Sequence, residues 1–459
     1  MQKNSIKYFK SSLKKKHRLF GNTSLHKSHK INNLMFIVEN YLFNMQRLLD
    51  YINKSIPSIT FGLILIFNIN CSRSNESAKL SETSIKATTI DVFSDMDSEI
   101  IIDSLIKEID VVHLETNKKC LIGKINDIKI ADNKIYILDK SINKAVYIFD
   151  RKGKFIKKIF ATGAGPLEFL KPFSMDVDED SKGLYIYDNS LKKIVKYDLN
   201  GKFLKNIKTP TYFNDFVFSN GNFIIERGLF ANQLRELSPE FDKHNLIVMD
   251  STFSKIIAGY LEPIGKDNKN NFRPISKSFS KSSDLKFFPR FSDELFIINK
   301  SNRLNSLFKF DLGDLKIESH ILNGPFEDMI KYMKNNSNKH IYASDFCGTD
   351  KAIYLRTFAL KESSHGDIYT FYLKNKKKAI SGNKIKIESY NKIPFFIHPA
   401  YASKSEFISV LNYEIFEPFL RKLDSKADQD QILSLDKFKL TTKFINEQSN
   451  PTLLLYTIE

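Results

Sequence analysis

The sequence contains no tryptophan and only three cysteines among its 459 residues. Without tryptophan it cannot carry the Trp-Asp signature of WD40 repeats. Three cysteines are too few for a disulfide framework, and no pair of them has the spacing of zinc ligands. The apolar run Ile59–Phe67 is shorter than the roughly 20 residues that span a bilayer. These absences exclude a WD40 protein, a disulfide-stabilised scaffold and a cysteine-bound zinc site.

Motifs with catalytic spacing are also missing. The nine histidines are dispersed, and none of them forms a His-x-His or His-Glu-x-x-His pattern. No Gly-x-Ser-x-Gly element marks a nucleophilic serine. A catalytic triad would have to be assembled by the fold, which one sequence does not reveal. The catalytic residues are therefore unknown, and the sequence favours a protein that is not an enzyme.

Positive charge is concentrated near the N-terminus. The formal net charge is +17, and residues 1–70 hold 11 basic against 2 acidic residues. The remainder is mildly basic, with lysines scattered through predicted turns. A nucleic-acid surface needs a basic stripe with interleaved aromatic residues. We therefore expect no nucleic-acid partner.

The stretch from residue 127 to residue 210 contains the same pattern twice. Asp139 and Asp188 are 49 residues apart, and Gly153 and Gly201 are 48 apart. A repeat of this length, built of short β-rich runs separated by Asp, Asn and Gly turns, is typical of β-propeller blades. The sequence therefore predicts two complete blades here.

Weaker copies of the pattern follow as far as the C-terminus. They predict an all-β, six-bladed propeller over residues 108–459, with short helical insertions at residues 325–335 and 413–439. Ile109–Thr116 precedes the first full repeat and has no partner within it. Because a terminal strand commonly completes the last blade, we predict that Ile109–Thr116 lies in the same blade as Pro451–Ile458 and closes the ring.

The chain before the propeller has a different character. Residues 1–44 form a basic disordered arm, or they precede a true start at Met45. Residues 45–71 have the organisation of a signal sequence. Residues 72–107 are expected to be a tether, with a short helix within residues 94–107.

Cys71 lies four residues after the apolar run of this signal. The arrangement resembles the lipobox of bacterial lipoproteins, in which the cysteine becomes the acylated first residue. The resemblance implies lipidation at Cys71 and a protein anchored to a membrane of the cell envelope, facing either the periplasm or the surface. An ordinary signal followed by an incidental cysteine is the alternative.

Five segments of the chain are similar to a known family. They are Val112–Glu115, Ile135–Asp139, Phe149–Phe155, Gly163–Phe169 and Asn450–Tyr456. The family that they resemble is the six-bladed β-propeller lipoproteins of Bacteroidetes, which are related in architecture to NHL propellers. The likeness covers about residues 106–459. It implies the propeller fold and carries over no catalytic residue.

The element from residue 163 to residue 169 is the densest motif and links the first two blades. Its candidate residues are Gly163, Gly165, Pro166, Glu168 and Phe169. In one interpretation Glu168 lies at a propeller face and binds a cation or an amine. In the other, which we favour, the element is a tight structural crossing. There the glycines permit unusual backbone angles, Pro166 stiffens the chain, and Glu168 binds backbone amides.

The sequence favours a non-enzymatic binding scaffold that recognises a small molecule, a glycan or a protein. A rigid disc with a central channel is used for binding more often than for any one reaction. The alternative is a metal-dependent hydrolase or lactonase with a calcium-like ion in the channel, since propeller lactonases bind such an ion through carboxylates and amides. No blade-periodic ligand set stands out. We therefore expect neither a metal nor another cofactor.

Overall fold

The structure is a computed structural model that describes residues 87–93, 96–97, 99–160, 163, 165, 168–228, 238–262, 277–289, 292–335, 341–359, 367–386, 398–414, 417 and 446–458. The predicted basic arm, the signal sequence with Cys71, Pro166 and most of the insertion at residues 413–439 lie outside these residues.

Strands form where β-branched and aromatic residues are dense, and they end at turns rich in Asp, Asn, Gly and Lys. The N-terminal segment contains β1 (Thr88–Asp91), β2 (Met96–Asp97), β3 (Ile100–Ile101) and β4 (Ile106–His113). Blade one contains β5 (Asp127–Ala131), β6 (Lys134–Asp139), β7 (Ala145–Asp150) and β8 (Phe155–Ile159). Blade two contains β9 (Pro172–Asp178), β10 (Gly183–Asp188), β11 (Lys193–Asp198) and β12 (Phe203–Lys208). Blade three contains β13 (Asp215–Ser219), β14 (Asn222–Glu226), β15 (Leu246–Asp250) and β16 (Ile256–Tyr260).

The remaining blades are built in the same way. Blade four contains β17 (Phe279–Lys281), β18 (Leu285–Phe287), β19 (Glu294–Ile298) and β20 (Leu304–Asp311). Blade five contains β21 (Ile341–Gly348), β22 (Ala352–Ala359), β23 (Ile368–Leu373) and β24 (Lys378–Gly382). The short strand β25 (Ile385–Lys386) follows, and blade six contains β26 (Tyr401–Ala402), β27 (Phe407–Leu411) and β28 (Thr452–Ile458).

The six blades form a closed ring. Their inner strands contact one another in the order β5, β9, β13, β17, β21 and β26, and β26 returns to β5. In the last blade the strand order is β26-β27-β28-β4. β4 pairs antiparallel with β28, from Ile106 opposite Ile458 to His113 opposite Thr452. The predicted six-bladed propeller and its closure by the N-terminal strand are confirmed.

The hydrophobic core lies between the blades. Six buried clusters are found among the described residues, and each one joins a blade to its neighbour. A middle strand such as β10 is buried at every position because its sheet is covered on both faces. Such strands are therefore apolar at consecutive positions rather than at alternating ones.

From residue 87 onward, the N-terminal segment packs against the propeller. β1 pairs in parallel with β20, and β2 pairs in parallel with β24. These partners are the outer strands of blades four and five. Ile90, Ile100 and Leu105 are buried in the clusters of these blades. The tether expected over residues 72–107 is therefore folded from residue 87 on.

The short helix predicted within residues 94–107 is wrong. Ile100–Ile101 is a strand that pairs with β25, and only Ile102–Ser104 forms a single 3-10 turn. The apolar residues of this segment cover the edges of existing sheets, which would otherwise be exposed. In the sequence, the spacing of these apolar residues had suggested one face of a helix.

Short helices interrupt the β scaffold. They are α1 (Ser319–Asn323), α2 (Phe326–Asn335) and the 3-10 helices Pro239–Phe241 and Gly313–Leu315. α2 confirms the insertion predicted at residues 325–335. Its first turn contains Glu327 and Asp328, which favour a helix N-terminus because they complement the helix dipole.

The two best repeats have the same turn between their third and fourth strands. Asp150 accepts hydrogen bonds from the amides of Lys152 and Lys154, and Asp198 makes the equivalent pair in blade two. Gly153 and Gly201 adopt φ values of 85° and 74°, which glycine tolerates best. Hairpin geometry thus accounts for these residues without a phosphate ligand.

The repeated aspartates at the ends of β6 and β10 connect loops on one side of each blade. Asp139 is fully buried and accepts hydrogen bonds from the amides of Gly123, Lys124 and Ile142 at 2.8, 3.1 and 2.9 Å. Asp188 is bonded in the same way in blade two. Each carboxylate therefore joins the connection that enters its blade to the hairpin between the second and third strands.

Replacing Asp139 by alanine should lower the free energy of unfolding by about 2 kcal/mol, because three amides lose their acceptor. Urea denaturation followed by circular dichroism measures the change. The control is Asp180→Ala, on an exposed turn of blade two, which should change stability by less than about 0.5 kcal/mol. Equal losses in the two variants would contradict the structural role.

Candidate functional site

The axis of the propeller is surrounded by the six inner strands, and residues of five of them, β5, β9, β17, β21 and β26, line a cavity of about 300 Å³. The wall combines charged, aromatic and small side chains, including those of Lys129, Asp176, Asp178, Lys277, Lys281, Cys347 and Tyr401. Every second residue of a strand points the same way. Pairs two residues apart, such as Asp176 and Asp178, therefore face the axis together.

Ion pairs cross this axial cavity. The ammonium of Lys281, in blade four, lies 2.7 Å from Asp178 and 3.9 Å from Asp176, both in blade two. Lys277, just before β17, pairs with Asp127 of blade one. Blades one and four are opposite each other in a ring of six, so Lys277 reaches across the axis. The two lysines thus connect blades that are not neighbours.

Lys129 lies between two carboxylates without a hydrogen bond to either. Its ammonium is 3.9 Å from Asp127 and 3.9 Å from Asp176. Burial lowers the pKa of Lys129, but Asp127, Asp176 and Asp215 together raise it above its ordinary value. Lys129 is therefore charged at neutral pH, with N–H donors turned to the cavity.

Asp176 has one satisfied oxygen and one unsatisfied oxygen. The residue is only 1% exposed, and Oδ2 accepts a hydrogen bond of 2.9 Å from the Phe218 amide. Oδ1 has no hydrogen-bond partner within the described part of the chain. Burial raises the pKa of Asp176, against the attraction of Lys281 and Lys129. Buried polar atoms are nearly always hydrogen-bonded, so Oδ1 calls for a further polar partner in the cavity.

Two other side chains set the character of the wall. Burial lowers the pKa of Lys277 to about 8, against the attraction of Asp127, and its ammonium lies 3.7 Å from the centre of the Tyr401 ring. Burial raises the pKa of the Cys347 thiol well above its ordinary value. That thiol is protonated at neutral pH and is not an activated nucleophile.

The carboxylates of the cavity do not assemble a calcium-type site. Asp127 and Asp178 are paired with lysines, and Asp215 accepts a hydrogen bond of 2.7 Å from the Ser174 hydroxyl. Among the described residues, no three histidines, cysteines, aspartates or glutamates come together to hold a metal. Calcium takes six to eight oxygen ligands, so the described side chains do not fit the ligand set of the metal-dependent alternative.

The described residues of the motif between blades one and two, Gly163, Gly165, Glu168 and Phe169, lie outside the lining of this cavity. The Glu168 carboxylate accepts a hydrogen bond of 2.8 Å from the Gly165 amide. A Cβ on Gly163 would lie 2.0 Å from the same carboxylate, so a larger residue there would displace the Glu168 side chain. Phe169 is buried in the core between the two blades. Pro166 is outside the described residues.

Sequence reasoning missed Asp127, Lys129, Asp176, Lys277 and Lys281. One signal was present: Lys129 and Asp176 are charged residues in two strands that are otherwise largely apolar. They occupy equivalent positions of the inner strands of blades one and two, opposite Tyr136 and Tyr185, which indicates a polar channel. The lysines of blade four had no such signal because their blade is a degenerate copy.

A family model described as "Domain of unknown function (DUF4934)" matches residues 87–457. The chain belongs to the DUF4934 family. Every residue of the axial cavity lies within the matched segment, and so do the N-terminal strands β1 to β4. The DUF4934 domain therefore includes the segment that covers the outer strands of blades four and five.

Solved structures share the architecture of this DUF4934 chain. A Bacteroides fragilis protein inferred to be exported is similar with a TM-score of 0.60 and 17% identity, over 81% of this chain and 99% of that one. A member of the DUF4221 family from Bacteroides vulgatus gives a TM-score of 0.44 and 12% identity, over 77% and 98%. The first likeness shows the fold alone. No curated protein matches the chain.

Within the described ranges, no helix has the length and the apolar composition needed to cross a bilayer.

Proposed function

We propose that this protein is an exported, lipid-anchored binding scaffold that holds a small polar molecule in its axial cavity and catalyses no reaction. The observation that carries the proposal is the pair formed by Asp176 and Lys129. One is a buried carboxylate oxygen with no hydrogen-bond donor among the described residues, and the other is an ammonium that lies 3.9 Å from that oxygen, beyond hydrogen-bond distance. A ligand that both donates and accepts hydrogen bonds, such as a sugar or an amino acid, satisfies both groups.

The cavity suits such a ligand in size and access. Its volume of about 300 Å³ lies at the lower end of small-molecule sites. Glu179, Ser282 and Lys404, which belong to turns between first and second strands, also line it. The cavity therefore opens on the side of the propeller where these turns lie.

Export and anchoring rest on the N-terminal sequence. Cys71 lies four residues after a short apolar run, in an arrangement that resembles the lipobox. The structurally similar Bacteroides fragilis protein is also described as exported. Both observations support a location in the cell envelope.

Binding is tested with residues 78–459, which form one compact unit. Thermal shift and calorimetry with a panel of monosaccharides and amino acids should find a compound that stabilises the protein. Asp176→Asn places an N–H where Oδ1 accepts, and Lys129→Met removes the donors. Each variant should weaken binding by about tenfold or more, since each loses a charge-assisted hydrogen bond. Asp110→Asn, at an exposed position of β4 outside the cavity lining, should bind normally. Binding that survives both cavity substitutions would contradict the assigned site.

Lipidation is tested in cells with a clickable palmitate analogue. The wild-type protein should be labelled, and Cys71→Ser should lose the label because no other cysteine follows a signal-like run. Cys347→Ser is the matched control, since Cys347 is buried inside the propeller. It should keep the label. Equal labelling of the wild type and Cys71→Ser would refute the anchor.

A further inference from the structure

Large apolar side chains are exposed in one region of the propeller. Of the seven exposed large hydrophobic residues within the described part of the chain, four precede or follow the strands of blades one and two on the same side. They are Leu121, Ile142, Phe160 and Leu170, with exposures of 49, 63, 57 and 38%. Exposed apolar residues that occur singly are ordinary, whereas a group of them marks an interaction surface.

Contacts show that the blade-one members of this group are close together. The Leu121 carbonyl accepts hydrogen bonds from Tyr147 and from Asn143, the residue after Ile142. The Lys158 ammonium lies 5.1 Å from the Tyr147 ring and 5.0 Å from the Phe160 ring. The three apolar side chains therefore surround the same hairpin.

The blade-two member belongs to the same side of the molecule. The amides of Leu170 and Lys171 bind Asp188 in the way that the amides of Gly123 and Lys124 bind Asp139. Leu170 therefore occupies in blade two the position that Gly123 occupies in blade one. We call the described residues within 114–126, 140–144, 160–171 and 189–192 the connection face of blades one and two.

The connection face is strongly basic. Its four segments contain seven lysines and two glutamates. One of the glutamates, Glu168, is hydrogen-bonded to the Gly165 amide. The turns on the other side of the same blades, at residues 132–133, 151–154, 179–182 and 199–202, hold five basic and three acidic residues. None of the exposed large hydrophobic residues lies in those turns. Exposed apolar side chains therefore coincide with the larger net positive charge, +5 against +2.

We propose that the connection face of blades one and two docks on an anionic lipid surface. Exposed Leu, Ile and Phe side chains enter the boundary of a bilayer, while neighbouring lysines attract anionic headgroups. A single acyl chain gives only marginal membrane binding, and a basic patch is a common second signal. The inference deepens the proposed anchoring at Cys71. The axial cavity, which opens among turns on the other side of these blades, then stays free for its ligand.

The test is flotation of residues 78–459 with vesicles of phosphatidylcholine and phosphatidylglycerol, and with vesicles of phosphatidylcholine alone. The protein should bind the anionic vesicles, and added salt should weaken binding because the attraction is screened. Ile142→Ser combined with Phe160→Ser should weaken binding by about tenfold or more. The matched control is Ile156→Ser combined with Leu204→Ser, two exposed positions (44 and 47%) on the outer strands of the same blades. It should bind as the wild type does.

Three outcomes overturn the proposal: no binding to anionic vesicles, equal binding to neutral ones, or equal losses in the two double variants. The first outcome would indicate that the connection face binds an acidic protein and not a membrane. Circular dichroism confirms that each variant is folded. The assay uses protein without Cys71 and needs no cavity ligand. Vesicle binding can therefore fail while lipidation and ligand binding succeed. It can also succeed while those two fail.

Discussion

Replacing Asn450 by alanine should lower the free energy of unfolding by about 3 kcal/mol and loosen the closure of the ring. Asn450 is 3% exposed and lies two residues before β28, the strand that pairs with β4. Its Oδ1 accepts a hydrogen bond of 2.8 Å from the Ile122 amide. Its Nδ2 donates to the carbonyls of Glu115 and Cys120 at 2.7 and 2.9 Å.

This one side chain therefore connects residues 115–122, which lead from β4 into blade one, to the residues just before β28. Alanine would leave one amide and two carbonyls without their partner, and a buried group that loses its partner costs about 1–3 kcal/mol. The loss falls on the contact between chain segments more than 300 residues apart. We expect the amides of β4 and β28 to lose more protection than those of blade two.

Urea denaturation and hydrogen exchange of residues 78–459 measure both effects. Asn446→Ala is the matched control, because Asn446 is exposed in the same connection and its side-chain Oδ1 accepts a hydrogen bond from the amide of Gln448, two residues away. It should change stability by less than about 1 kcal/mol. If protection fell evenly across all blades, the role of Asn450 in closure would be wrong.

The closure itself was predictable from the sequence, because a strand without a local partner must find an edge elsewhere. The turns were predictable for a different reason. Asp150 and Gly153 act within a few residues of each other, so the sequence contains the whole interaction. Strand content, turn type and repeat length are all local properties of this kind.

The pairing of β1 and β2 was not predictable in the same way. Thr88 lies opposite Phe308, and Met96 lies opposite Ser381. Two-residue and four-residue strands carry too few positions to show a period of two. Their apolar residues are explained only when the outer edges of blades four and five are present.

The axial cavity shows the same limit at the candidate site. Lys277 and Asp127 are 150 residues apart and belong to opposite blades. Each of them is an ordinary charged residue beside a strand when considered alone. The closed ring brings the two residues together, and the spacing of residues within one degenerate blade does not predict this contact.

A second large effect is expected at Lys286, a fully buried lysine on β18. Its ammonium donates to the Ser282 hydroxyl. Burial, with a further contribution from Lys374, lowers the pKa of Lys286 to about 7, although Asp284 and Asp350 oppose the shift. About half of the folded molecules therefore carry this buried charge at neutral pH. Charge burial without a full set of partners is unfavourable.

The pH dependence follows from the two pKa values of this lysine. Between about pH 7 and its ordinary value of 10.5, the unfolded chain binds the proton and the folded protein does not. The free energy of unfolding contributed by Lys286 must then rise with pH, by at most about 1.4 kcal/mol per unit. Below about pH 7 both states are protonated, and the destabilisation is complete.

Lys286→Met should therefore stabilise the protein on the order of 3 kcal/mol at pH 7, because methionine fills the space without a charge. The gain should shrink steadily as the pH is raised from 7 to 10. Urea denaturation of both proteins at several pH values measures it, and the difference between them cancels the titration of Lys277 and of the tyrosines. Lys351→Met, at an exposed turn of blade five, should show no pH-dependent difference. A variant that is less stable than the wild type by the same amount at every pH would mean that the Lys286 ammonium stabilises the fold as a charged, fully partnered group.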